Sequence, residues 1–224
     1  IIYDKGFKFF MSSKFDHGRK VAKIDDSYYI LFHDKIHEIV KQALGDNYQM
    51  YSYTCNANLA NKHQPYHMDC SHFHNKDTIK LFGSPGPPHH IIVNVYLEDT
   101  NKEKGCTVVV PKSHKSRKFS DRSIKKFKYL EGNPGDVFIW DGNLWHGSLA
   151  NKTNSSRWNL IATFSNWRFK SVFDIPRSMS QNNYKKLSTK EKILLGYLTI
   201  PSHDENERVS SSIKTSKLKK NVKD

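Results

Sequence analysis

A chain of 224 residues has room for one large domain or two small ones, and its 37% hydrophobic and 12% aromatic content excludes a disordered chain and describes a core leaning on Phe, Tyr and Trp. A formal net charge of +14 and a pI near 9.6 favour acidic partners: nucleic acid, an anionic surface, or phosphorylated or carboxylated small molecules. Cys55, Cys70 and Cys106 are odd in number and lack C-x-x-C spacing, which points to free thiols in a reducing, cytoplasmic compartment, and no apolar run approaches the roughly 18 residues of a membrane span.

No signal peptide is visible, although the chain opens at Ile1 without a Met, which leaves room for an upstream piece. Asp25, Asp26 and Ser27 offer an N-cap. Tyr29, Phe32, Ile36, Ile39, Val40 and Leu44 then follow helical spacing, and Gly45 can close the helix. Five strand-like runs follow, at 48–55, 90–97, 106–111, 136–140 and 158–164, rich in β-branched and aromatic residues. Their length and Gly/Asn/Pro punctuation predict a β-sandwich or barrel. "FGSPGPPHH" (82–90) reads as a long loop and a candidate lid over a site. Ser188 with Glu191 predicts a capping box opening a late helix that runs through Leu195 and stops near Gly196. One domain is expected over 1–209, and the Lys-rich 210–224 reads as a disordered basic tail.

The stretch "HQPYHMDCSHF" (63–73) concentrates histidine, and within it His67 and Asp69 stand two apart, on one face if the backbone is extended. "GDVFIWDGNLWHGSLANKTNSSRWNLIATF" (135–164) supplies a third ligand. Its first strand ends at Trp140, Asp141-Gly142-Asn143 turns, and a short second strand carries His146; Arg157 opens another strand eleven residues on. Two histidines and a carboxylate are the facial triad of non-haem Fe(II) oxygenases, with three positions left open on an octahedral ion. A keto acid with a distal carboxylate then needs a fixed cation, for which the Arg fork is suited.

Three segments together carry a resemblance: "HMD" (67–69), "VYLEDTNKEKGCTVVVPKSHK" (95–115) and the 135–164 stretch. The chain resembles the phytanoyl-CoA dioxygenase family of Fe(II)- and 2-oxoglutarate-dependent oxygenases over roughly residues 50–170. Leu97, Asp99, Gly105, Pro111, Ser113 and His114 match the family pattern, and Lys112 stands where that pattern has Gly. The resemblance implies a mainly β fold, a double-stranded β-helix (cupin-like jelly roll) with flanking helices. It implies His67, Asp69 and His146 as iron ligands and Arg157 as the anchor of the 2-oxoglutarate C5 carboxylate. Asn94, Tyr53, Ser148 and Trp145 are candidates to line the cosubstrate pocket, each with core packing or sheet pairing as the competing role.

The implied activity is hydroxylation of an unactivated C–H in a small, anionic organic substrate, using Fe(II), 2-oxoglutarate and O2 and releasing succinate and carbon dioxide. The carboxylate of Asp69 favours hydroxylation over halogenation, because related halogenases have a small residue there. His63, His72 and His74 read as solvated loop histidines, His114 as structural, and Cys70 as a small buried hydrophobe. Two alternatives stand beside this reading. One is an oxygenase acting on nucleic acid or protein, suggested by the basic charge and "RWNLIATF"; the other is a non-catalytic cupin-like metal-binding domain.

Overall fold

A computed structural model describes residues 19–20, 28–69, 88–115 and 126–197. His72, His74, Cys70, most of the 82–90 loop and the 210–224 tail lie outside the described residues.

A 3-10 turn at Tyr28–Phe32 leads into helix α1 (Asp34–Leu44). The predicted helix therefore begins later than Ser27. His33 is the N-cap, its ring accepting from the Lys35 N–H, while Tyr29 and Phe32 sit in the 3-10 turn. Apolar spacing of three carries across that break, because a 3-10 turn also puts residues i and i+3 on one side. Gly45 closes α1 with a φ of +80°, as expected of a helix C-terminus.

The described strands are β1 (Arg19–Lys20), β2 (Tyr48–Asn58), β3 (Gln64–His67), β4 (His90–Tyr96), β5 (Thr107–Val109), β6 (Lys128–Leu130), β7 (Val137–Asp141), β8 (His146–Ser148) and β9 (Arg157–Asn166). All five strands expected from sequence are present, with ends moved by a few residues. They form a five-stranded sheet in the order β1-β2-β9-β4-β7 and a four-stranded sheet in the order β3-β8-β5-β6, with antiparallel neighbours throughout. Two antiparallel sheets with non-consecutive neighbours are the expected jelly roll.

Register assigns the faces of the larger sheet. Cys55 pairs with Leu160 and Tyr53 with Ala162, and Val95 and Val93 flank the same two residues from β4. These side chains join Leu31, Ile36, Val40, Ile175 and Leu195 in one apolar core beneath the helices. The alternate residues, Asn56, Asn94, Arg157 and Asn159 among them, turn to the second sheet. An extra residue in β2, Tyr51, shifts the register between Met50 and Ser52.

The chain then forms α2 (Ile175–Ser178), α3 (Gln181–Lys186) and α4 (Thr189–Leu194). The capping box of Ser188 and Glu191 is formed as expected, and Gly196 has a φ of +87°. Among the described residues no helix is long and apolar enough to cross a membrane.

Candidate active site

His67 and His146 are directly opposed across β3 and β8, with ring centroids 4.3 Å apart. Asp69 lies beyond the end of β3, in a turn, so strand alternation is not what brings it to His67. Instead its N–H donates to Gly142 O (3.1 Å), tying the 67–69 segment to the turn that precedes His146. That turn is the expected one: Asp141 Oδ1 accepts from the Asn143 N–H (2.8 Å), and Leu144 N–H donates to Asp141 O (2.8 Å). The Asp69 carboxylate then faces both imidazoles, 3.7 Å from His67 Nε2 and 3.6 Å from His146 Nε2. One ligand atom from each of the three residues lies within 4.8 Å of the others.

Both histidines are oriented from behind. His67 Nδ1 is 2.8 Å from Pro65 O and His146 Nδ1 is 2.9 Å from Leu144 O. A carbonyl oxygen only accepts, so each Nδ1 carries the proton and each neutral ring keeps its Nε2 lone pair for the cluster. Such backbone contacts fix the tautomer of metal-binding histidines. The donor set and the aimed lone pairs fit a divalent first-row ion such as Fe(II).

Arg157 opens β9, eleven residues after His146, and is 4% exposed. Its Nη2 donates to Gly105 O (3.1 Å), and the guanidinium lies 5.8 Å from the Tyr96 ring centroid. Nε and Nη1 have no hydrogen-bond partner among the described residues. Burial holds this guanidinium below its ordinary pKa, opposed by Tyr96, Cys106 and Glu98. A buried cation with two idle donors is costly to leave so, and an anion entering the barrel would satisfy it. The acceptor carbonyl belongs to Gly105, whose φ is +71°; a Cβ there would strike Asn58 and the 149–151 backbone. The residue at this position is thus restricted to Gly so that its carbonyl can meet Arg157.

Of the other sequence candidates, Asn94 faces the barrel interior and accepts from Asn159 Nδ2 (2.6 Å). Ser148 is two residues along β8 from His146 and on its face; its hydroxyl accepts the Gln64 N–H (2.8 Å). Trp145 is half-buried and its backbone N–H donates to Ser113 Oγ (2.8 Å). Tyr53 belongs elsewhere: it sits on the helix side of the sheet within the apolar core, because odd-numbered positions of β2 face the helices there. His63 is an exposed loop residue. His114 sits in a 3-10 turn, and Cys55 and Cys106 are buried free thiols. Burial pushes the Cys106 thiol up to about 11, which keeps it protonated and inert at neutral pH.

Two residues at the site are not among the sequence candidates. Trp140 lies with its ring centroid 5.3 Å from that of His146, and its indole N–H is buried without a partner among the described residues. Gln64 places Nε2 3.2 Å from His67 Nε2. The alternation of β7 could have pointed to Trp140; nothing in the sequence marks Gln64, because a bulge sets its direction.

A jelly roll that brings two histidines and one carboxylate together at neighbouring strand ends has the donor set used by mononuclear non-haem oxygenases. The chain belongs to the phytanoyl-CoA dioxygenase (PhyH) family, whose sequence model matches residues 7–158. Members of that family are Fe(II)- and 2-oxoglutarate-dependent oxygenases. The fold is similar to EctD from S. alaskensis, solved with 2-oxoglutarate and 5-hydroxyectoine (TM-score 0.53, 20% identity, 65% of this chain and 55% of that one). It is similar also to HygX from Streptomyces hygroscopicus, solved with nickel and 2-oxoglutarate (TM-score 0.53, 15% identity, 64% of this chain and 66% of that one). The non-heme monooxygenase ThoJ, as its nickel complex, matches at a TM-score of 0.50 and 19% identity, over 63% of this chain and 54% of that one. The chain therefore spans between about half and two thirds of the length of these three solved proteins.

Proposed function

We propose that the chain is an Fe(II)- and 2-oxoglutarate-dependent hydroxylase of a small, anionic organic molecule, with His67, Asp69 and His146 holding the ion and Arg157 the distal carboxylate of 2-oxoglutarate. The observation that carries this reading is the convergence of three ligand atoms within 4.8 Å. The two histidines contribute through backbone contacts at Nδ1 that direct both Nε2 atoms towards the Asp69 carboxylate. Arg157 adds support, as a buried cation with two unpaired donors on the interior face.

Fe(II) bound there, with 2-oxoglutarate and dioxygen, supplies the oxidising chemistry for inserting oxygen into a C–H bond, with succinate and carbon dioxide released. The protein's own part is positioning. Pro65 O and Leu144 O keep the imidazoles in the ligating tautomer. Gly105 O and the Tyr96 ring fix the guanidinium, so that a carboxylate meets an oriented donor set. Asn94 and Ser148 face the same interior, and with Trp145 on the adjoining turn they remain candidates to border the cosubstrate. The 5-hydroxyectoine in the EctD structure supports a small-molecule substrate, and the net charge of +14 supports an anionic one.

The test is a metal titration followed by a cosubstrate titration under anaerobic conditions. His146→Ala should weaken Fe(II) binding by about 100-fold or more, since even outer-sphere partners of such ligands are worth 10–100-fold. Iron held by that variant as tightly as by wild type would sink the triad. A panel of small anionic molecules, screened for stimulated succinate release, then identifies the substrate.

A further inference from the structure

We propose that Gln64 is a positioning residue whose side-chain amide caps the ion-facing nitrogen of His67 until a metal ion displaces it. The inference rests on the triad reading above and concerns how that site is filled.

The backbone explains why Gln64 reaches the site. β3 pairs with β8 at Gln64↔Ser148 and His67↔His146, with the register shifting in between. Three steps along β3 answer two along β8, so one residue is extra. On an unbroken strand, residues three apart point to opposite faces. The extra residue restores Gln64 to the face of His67, and with it to that of His146 and Ser148. Pro65 lies in the bulge and has no N–H to lose there. Gly147, between Ser148 and His146, lets the bulged backbone come close: a Cβ on it would stand 2.7 Å from Gln64 O and 3.2 Å from Pro65 O. The Gln64 N–H is held by Ser148 Oγ at 2.8 Å, which pins the residue from which the amide swings.

The chemistry at the far end follows from the tautomer. Pro65 O fixes the His67 proton on Nδ1, so Nε2 presents a lone pair, and Gln64 Nε2 stands 3.2 Å from it as a donor. An imidazole nitrogen has one lone pair. The amide N–H and a metal ion therefore compete for the same atom, and ion binding must break the Gln64–His67 hydrogen bond.

The experiment is Ni(II) titration by calorimetry on the whole chain, comparing wild type with Gln64→Ala, Gln64→Met and His67→Ala. Gln64 is exposed, so its variants should fold as wild type does, which thermal unfolding verifies. A neutral hydrogen bond of ordinary net worth predicts that Gln64→Ala binds Ni(II) about two- to tenfold more tightly. Gln64→Met keeps the length and loses the donor, so it should match Gln64→Ala. Wild-type or weaker affinity in Gln64→Ala overturns the cap. So does wild-type affinity in Gln64→Met beside tighter binding in Gln64→Ala, which would make the effect one of bulk. If His67→Ala binds Ni(II) as wild type does, the triad itself has failed, and the cap with it; loss of binding in His67→Ala alone leaves the triad standing whichever way Gln64 falls.

Discussion

On the helix side of the five-stranded sheet, β9 presents Leu160, Ala162 and Phe164, β4 presents Ile91, Val93 and Val95, and β2 presents Tyr53 and Cys55. On the opposite side the same strands present Ile92, Tyr96 and Ile161 together with a set of polar residues: Arg157, Asn159, Thr163 and Ser165, then His90 and Asn94, then Asn56 and Asn58. Arg157, Asn159, Thr163, Ser165, His90 and Asn94 are as buried as their apolar neighbours, none above 8% exposed. One face is what a sheet needs to fold: apolar area removed from water at roughly 25 cal/mol per Å². The other is a cost to folding unless each polar atom finds a partner. Many do, as Asn159 does with Asn94, but among the described residues Arg157 Nε and Nη1 and Asn56 Oδ1 do not. A buried face that carries incompletely paired polar atoms is suited to a ligand, and under the proposed function it is the part of the sheet that binds, where the helix side is the part that stabilises.

That contrast is broken or sharpened by a matched pair of substitutions on β9. Phe164 is fully buried, with edge contacts to His37 (5.7 Å) and Tyr48 (6.0 Å). Phe164→Ala should cost about 3–5 kcal/mol of stability and lower the melting temperature by roughly 10 °C or more, with the folded fraction still binding 2-oxoglutarate. Arg157→Gln should do the reverse. It removes a desolvated, half-paired cation, so ligand-free stability should hold or rise. Anaerobic affinity for 2-oxoglutarate, followed by the charge-transfer absorption expected of this family, should fall by about two to three decades. Thermal unfolding with and without Fe(II) and 2-oxoglutarate reads both effects: wild type should gain about 2.7 kcal/mol at a hundredfold excess over Kd, the variant little. An Arg157→Gln protein as destabilised as Phe164→Ala would mean that the interior face is core after all.

The two faces also differ in how far the sequence discloses them. The helix-side face is written in β-branched and aromatic residues, so the runs in β2, β4, β7 and β9 are legible from the amino-acid order alone, and the short β5 of the second sheet is legible within the longer apolar run at 106–111. The triad is legible because His-x-Asp, the Asp-Gly-Asn turn before His146 and the eleven-residue step to Arg157 are local patterns. The two-residue β1 and three-residue β6 are not, since so few residues show no period and their pairing is set by partner strands. The helices α2 and α3 are too short for a hydrophobic period, although Asp174 and Ser180 cap them. Gln64 is hidden for a different reason: its direction depends on one extra residue in a strand pair, a long-range property that composition does not record. Tyr53 takes the core-packing role of its two readings, a choice the sequence leaves open because residues one apart on a strand are equally near in sequence and opposite in space.

A smaller effect should arise where the helix-side face departs from its own rule. His37 is 4% exposed among Phe32, Tyr48 and Phe164, with Nδ1 2.9 Å from Tyr48 Oη and Nε2 unpaired among the described residues. Burial, reinforced by Lys190 on α4 and opposed by the Leu31 backbone and Asp34, pulls its pKa below 6.5. The unfolded chain then takes up this proton at a higher pH than the folded one does. Stability attributable to a neutral His37 is therefore full above about pH 6.5 and is lost as pH falls below it, towards the folded pKa. Urea denaturation at pH 7.5 and 5.5 should show wild type losing more stability on acidification than His37→Gln. Equal losses would mean that this imidazole is as free to charge in the fold as in water.

The smallest effect should come from a turn that belongs to neither face. Lys112 stands where the family pattern has Gly, and its φ is +65°. For a residue with a Cβ the left-handed region costs about 1–2 kcal/mol. Gly avoids that cost and gives back about 0.5–1 kcal/mol through its freer unfolded chain. Lys112→Gly should thus stabilise by about 0.5–1 kcal/mol, while Lys112→Ala, which keeps the Cβ, should gain nothing. The side chain is exposed, so no packing is lost. The turn matters to the site only through its backbone: Ser113, the next residue, is buried and its hydroxyl accepts the Trp145 N–H just before His146. Relieving strain without moving Ser113 should leave Ni(II) affinity unchanged. A higher denaturant midpoint at constant m with unaltered metal binding is the expected pair of readings. A rise in stability that came with weaker Ni(II) binding would show instead that the strained backbone at Lys112 helps to aim His146, and that the turn belongs with the binding face.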